Sequence, residues 1–97
     1  MPMFITLGNF TDQGIRSYKD SPKRAQAFKD SVESMGGKVH SIHWTLGQYD
    51  LVALVEAPDD QTAAALAVKT ASLGNIRTMT MPAFGMEDIA KIIKATE

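Results

Sequence analysis

His43 and Asp50 are the residues whose types and spacing come nearest to a reactive arrangement. They sit in the segment Ser41-Ile42-His43-Trp44-Thr45-Leu46-Gly47-Gln48-Tyr49-Asp50. A hairpin turning at Gly47-Gln48 would set them diagonally on one sheet face, within reach of each other. A carboxylate beside an imidazole orients it as a general base or helps it hold a polar ligand. The structural alternative gives Asp50 to the turn and His43 to a partner subunit, because an imidazole alone makes no active site.

Three further residues could serve a ligand. Trp44 and Tyr49 fall on the helix-facing side of the same hairpin, where they either wall a pocket or fill the core. Arg77 is the one cation inside the last strand. It could hold a carboxylate or phosphate, guard an edge strand or form an ion pair between subunits. A metal is not expected: strand alternation sends His40 and His43 to opposite faces, and the chain has no cysteine. Gly36-Gly37 lacks the lysine and spacing of a phosphate loop, no serine has a nucleophile-elbow context, and no cofactor is expected.

The elements that must position these residues follow from periodicity and punctuation. Phe4 to Phe10 reads as a strand with Gly8 as a bulge, followed by a ragged turn or short helix through Tyr18. Ser21-Pro22 signals a helix start, Ala25, Phe28, Val32 and Met35 recur at helical spacing, and Gly36-Gly37 closes the helix. Val39 to Leu46 and Tyr49 to Ala57 form the hairpin strands. Pro58-Asp59-Asp60 caps a helix of Thr62 to Leu73 with a thin apolar face, ended by Gly74. Asn75 to Phe84 is the last strand, and Met86 to Thr96 a terminal helix expected to pack through Ile89, Ile92 and Ile93.

The order β-α-β-β-α-β-α, with right-handed crossovers, predicts an α+β fold of ferredoxin-like type: a four-stranded antiparallel sheet with helices on one face. At 97 residues the chain has room for one domain, residues 1–97, and one small core that gains from a partner. Net charge is -1 with acids and bases interspersed, so neither nucleic acid nor membrane is an expected partner. The cluster Lys19, Lys23, Arg24 and Lys29, interrupted by Asp20 and Asp30, reads as a solvated helix face. The start Met1-Pro2-Met3-Phe4 has no signal-peptide pattern, no apolar run reaches the ~20 residues of a spanning helix, and a cytoplasmic location is expected.

Pairing the hairpin about Gly47-Gln48 places Leu46 opposite Tyr49, Trp44 opposite Leu51, Ile42 opposite Ala53 and His40 opposite Val55, under the helices. The second face carries His43 opposite Val52, Ser41 opposite Leu54 and Thr45 opposite Asp50, with Val39 nearby. That face is too apolar to stay wet, which predicts a homodimer or higher homo-oligomer joined through the open sheet face.

The residues Leu46-Gly47-Gln48-Tyr49-Asp50 and Ala57-Pro58-Asp59-Asp60 resemble the signature of the GYD-domain family. The stretches Ala63-Ala64-Ala65-Leu66-Ala67 and Ser72-Leu73-Gly74-Asn75-Ile76-Arg77-Thr78 resemble its second helix and last strand, so the likeness runs from Met3 to about Phe84. The resemblance implies a dimeric α/β-barrel type of ferredoxin-like domain whose biochemical role is not established. Glycine followed by Tyr-Asp entering a strand is also similar to the effector-binding domains of Lrp/AsnC-type regulators. Their helix-turn-helix half has no counterpart in this sequence, so direct DNA control is not expected.

Three functions fit these readings. The first is a homo-oligomeric module, regulatory or binding a small organic or amino-acid-like ligand at or near the subunit contact, with Gly47, Tyr49 and Asp50 shaping the site and His43 and Arg77 as polar contacts. The second is a cofactor-free enzyme of the monooxygenase or isomerase kind with His43 as base and Asp50 orienting it. The third is a structural interaction domain whose motif sets only the hairpin and the dimer.

Overall fold

The computed structural model describes residues 1–97. Strand β1 (Met3–Phe10) leads into a short helix α1 (Asp12–Arg16) and a 3-10 turn at Tyr18–Asp20. Helix α2 (Ser21–Ser34), strands β2 (Lys38–Trp44) and β3 (Leu51–Glu56), helix α3 (Asp60–Ser72), strand β4 (Ile76–Ala83) and helix α4 (Met86–Ala95) follow. The four strands form one antiparallel sheet in the order β2-β3-β1-β4, as the ferredoxin-like order requires.

Period-two alternation decides which side chains meet the helices. Val55 pairs with Phe4 and Ala53 with Thr6, and these positions face α2 and α3. The buried core is Val32 of α2, Leu66 of α3 and Val39, Ala53 and Val55 of the sheet, with Phe28, Met35 and Ile42 packed around them. Val32 is fully buried. On α3 only Leu66 is buried, in keeping with its thin apolar face. Asp59 caps that helix by accepting a 2.8 Å bond from the Thr62 N–H.

Several sequence expectations are corrected. A β-bulge between Val39 and Ser41 shifts the β2 register, so Val39, not His40, lies opposite Val55 and enters the core. The extra residue sends the His40 ring to Glu56, with Nε2 2.9 Å from Oε1, so simple alternation does not describe the two histidines. The hairpin loop is wider than the two residues Gly47-Gln48. The strands stop at Trp44 and Leu51, the Thr45 N–H donates to the Asp50 carbonyl at 2.8 Å, and the Thr45 hydroxyl donates to the Tyr49 carbonyl at 2.6 Å. That hydroxyl replaces a ladder bond, and Gly47 adopts φ +141°, a conformation outside the reach of most side chains. Tyr49 therefore belongs to the loop and does not face Leu46 across a ladder. Ser21 opens α2 from inside the helix instead of capping it. It is buried, and its hydroxyl accepts from Arg24.

The largest departure is α4. Ile89, Ile92 and Ile93 share a helical stripe, but none is buried and α4 makes no substantial contact with any other element. The chain measures 51 × 30 × 18 Å, long for its size. No helix is long and apolar enough to cross a membrane.

Candidate functional site

Two surfaces emerge from the sheet, one on each face. On the open face, the ladders align His43, Val52, Leu7 and Met79 in one row across β2-β3-β1-β4. The next row is Ser41, Leu54, Ile5 and Met81. Six apolar side chains thus form the centre. Lys38 and Glu56 border it at one end, and Asn9 paired with Arg77 at the other. Met79 and Met81 are 51% and 38% exposed, and no helix covers them. An apolar centre inside a polar rim is the anatomy of a protein contact surface.

On the helix face, α2 and α3 touch each other only briefly. Between them lies a cleft of about 170 Å³. Its floor is the row Trp44, Leu51, Gly8 and Thr78, where Gly8 contributes no side chain. Phe28 of α2 and Leu73 at the end of α3 stand at its sides. The lining is almost wholly apolar, and its two charged members are Arg24 and Lys69.

The structure distributes the predicted site residues among different places. His43 and Arg77 lie on the open face, in separate rows. Trp44, 48% exposed, stands on the cleft side. Gly47, Gln48 and Tyr49 belong to the loop. Asp50 is engaged at the junction of β3 with β1. Its Oδ2 accepts from the Phe10 N–H at 2.9 Å, and its own N–H donates to the Gly8 carbonyl at 2.8 Å. It forms no hydrogen bond with His43. The carboxylate that base chemistry would need beside the imidazole is thus employed in holding the end of β1.

Sequence reasoning passed over Arg24, treating it as part of a solvated face. It is half-buried, and its guanidinium carries four hydrogen bonds to neutral oxygens. Nη1 donates to the Ser17 carbonyl and hydroxyl, and Nη2 to the Gly14 carbonyl and the Ser21 hydroxyl, at 2.9–3.2 Å. The Phe10 ring centroid lies 6.0 Å from its guanidinium carbon. The available signal was its place beside Ala25 and one turn before Phe28, on the flank of the apolar stripe.

Comparison with known proteins places these surfaces in context. The family model described as "GYD domain" matches residues 4–93, a span that includes most of α4. The glutamine synthetase and cystathionine beta-lyase binding protein of Thermus thermophilus is 35% identical over 95 residues, covering 97% of this chain and all of that protein. The crystal structure of a Thermus thermophilus protein superposes with a TM-score of 0.56 at 25% identity, over 88% of this chain and 95% of that one. The leucine response regulatory protein of Mycobacterium tuberculosis gives a TM-score of 0.66 at 18% identity. That match covers 88% of this chain and 51% of the regulator, so the chain spans about half the regulator's length and the likeness is one of fold.

Proposed function

The chain belongs to the GYD domain family, and from that premise we propose that it is a homo-oligomeric protein-binding module, assembled through the open face of its sheet and serving to regulate enzymes. The observation that carries this is the pair of apolar rows, Val52-Leu7-Met79 and Leu54-Ile5-Met81, framed by His43, Arg77, Lys38 and Glu56. At ~25 cal/mol per Å², covering what remains exposed of these side chains, about half of Met79 and less of the others, gives on the order of 1 kcal/mol apiece. His43 and Arg77 sit where rim contacts set register and partner choice.

Helix α4 enlarges the same assembly. A ten-residue helix with no tertiary support is marginal in water, since its nucleation is costly. Its apolar stripe of Met86, Ile89 and Ile93, with Ile92 beside it, needs a surface that its own chain does not offer. A second copy of the chain supplies one. A standard interface removes about 800 Å² per partner, more than these six sheet side chains, four of them already part-buried, provide, and α4 makes up the difference.

The Thermus thermophilus relative is named for binding glutamine synthetase and cystathionine beta-lyase. Likeness along the full length of both chains supports the same kind of partner here, an enzyme of amino-acid metabolism. The test is light scattering of the purified protein, diluted into the nanomolar range, beside Leu54→Lys. The wild type is expected to hold the mass of two or more chains, and the variant that of one. A wild-type monomer throughout would overturn the assembly. Titration with purified glutamine synthetase and cystathionine beta-lyase tests the partner separately. Failure to bind either would overturn the docking claim alone.

A further inference from the structure

We propose that the cleft between α2, α3 and the sheet is a binding site for a small apolar carboxylate. The site lies on the opposite side of the sheet from the association face, and binding there does not depend on that assembly.

The cleft exists because the core fills only one end of the sheet. Val32, Val39, Ala53, Val55 and Leu66 close the helices over that end. At the other end the Ile76 side chain folds over Gly8, and Thr78 of the floor and Ala25 of α2 are too small to fill the remaining space of about 170 Å³. Walls of this kind lose dispersion contacts when empty and gain them when an apolar body enters.

Charge decides which apolar body. Arg24 reaches the cleft from α2 and Lys69 from α3, and no aspartate or glutamate lines it. Neither cation has a carboxylate within 4 Å, the one such pair in the chain being His40 with Glu56. The four bonds to Ser17, Gly14 and Ser21 fix the Arg24 side chain without neutralising it, and its Nε–H is outside that network. A positive charge held in place beside an apolar wall, with a second cation opposite, selects an anion with a hydrophobic tail. Neutral and cationic molecules of the same shape forgo that attraction. Ring-sized or branched carboxylates match the dimensions.

Trp44 reports directly, since it is the sole tryptophan and lines the cleft. Phenylacetate and 4-methylpentanoate are titrated against the full chain, with phenylacetamide and phenethylamine as neutral and cationic counterparts. A saturable Trp44 fluorescence change is expected with at least one carboxylate, with roughly tenfold weaker binding of the amide and the amine. Lys69→Gln should weaken carboxylate binding by a similar factor with little change in melting temperature, because the Lys69 side chain is exposed and makes no ion pair within the chain. Ala25→Phe should fill the cleft and abolish the change.

No saturable change with either carboxylate up to about 10 mM, an affinity too weak to count as a site, overturns the proposal. So does equal binding of the amide, or binding indifferent to both variants. Light scattering on the same samples reports the assembly independently, so failure of one reading leaves the other standing.

Discussion

Gly14 of α1 lies so close to the carbonyl of Asn75, in the turn between α3 and β4, that a Cβ at this position would collide with it. The approach is fastened around it. The Thr11 N–H donates to that carbonyl at 3.2 Å, the Thr11 hydroxyl to the Gly74 carbonyl at 2.6 Å, and Gln13 Nε2 to Leu73 and Asn75. Because Phe10, Leu73 and Asn75 also line the cleft, this junction sets its width. Gly14→Ala is therefore expected to destabilise the chain by about 2 kcal/mol in urea unfolding, since backbone must move to admit the methyl group. A change below about 0.5 kcal/mol would show that the junction yields freely.

Asp50→Ala removes the acceptor that holds the Phe10 N–H beyond the end of β3. A part-buried donor left without its charged partner costs about 2 kcal/mol. Denaturant melts are expected to show that loss, and light scattering a weaker assembly, since the β1 and β3 rows that form the open face meet at this junction. Asp50→Asn keeps a carbonyl acceptor and should lose less. Unaltered melting and mass in the alanine variant would count against the assigned role.

Asp59 makes stability depend on pH. Its hydrogen bonds with Thr62, side chain first and backbone second, hold its carboxyl below the usual 3.8. A carboxylate whose pKa is lowered by folding stabilises the native state above its unfolded pKa, and that contribution fades as pH falls through the folded value. The melting temperature of Asp59→Ala should lie below wild type at neutral pH, and the gap should close on acidification below about pH 4. A gap that stays constant into acid would assign the cap to something other than the charge.

Ile92→Lys separates the two roles that α4 could have. Ile92 touches nothing substantial in its own chain, so monomer stability should not change. The dissociation constant of the proposed assembly, read in the dilution series, should rise roughly tenfold. An unchanged constant would remove α4 from the assembly while leaving the sheet face in place.

Local rules read in the sequence alone were enough for the order of elements, the antiparallel sheet, the Asp59 cap and four of the hairpin pairs from Ser41-Leu54 to Trp44-Leu51. Periodicity, capping chemistry and turn residues act over a few neighbours, so the sequence carries them whole. The bulge at His40 was not legible. One inserted residue costs little locally, and what favours it is the burial of Val39 against Val32 and Leu66, which lie on separate helices. Arg24 was misjudged for a similar reason: its four acceptors come from three residues brought together by α1, the 3-10 turn and α2. The terminal helix was predicted from its own stripe, but whether a stripe finds a surface depends on where β4 ends, and here it ends facing solvent. His43 meets its expected strand position and Asp50 falls just before β3, yet only the tertiary structure gives Asp50 to the Phe10 N–H, because that donor lies on a strand 40 residues away. The sequence by itself determined the fold and an apolar open face. Which residues share a site was decided by long-range packing, which no spacing along the chain encodes.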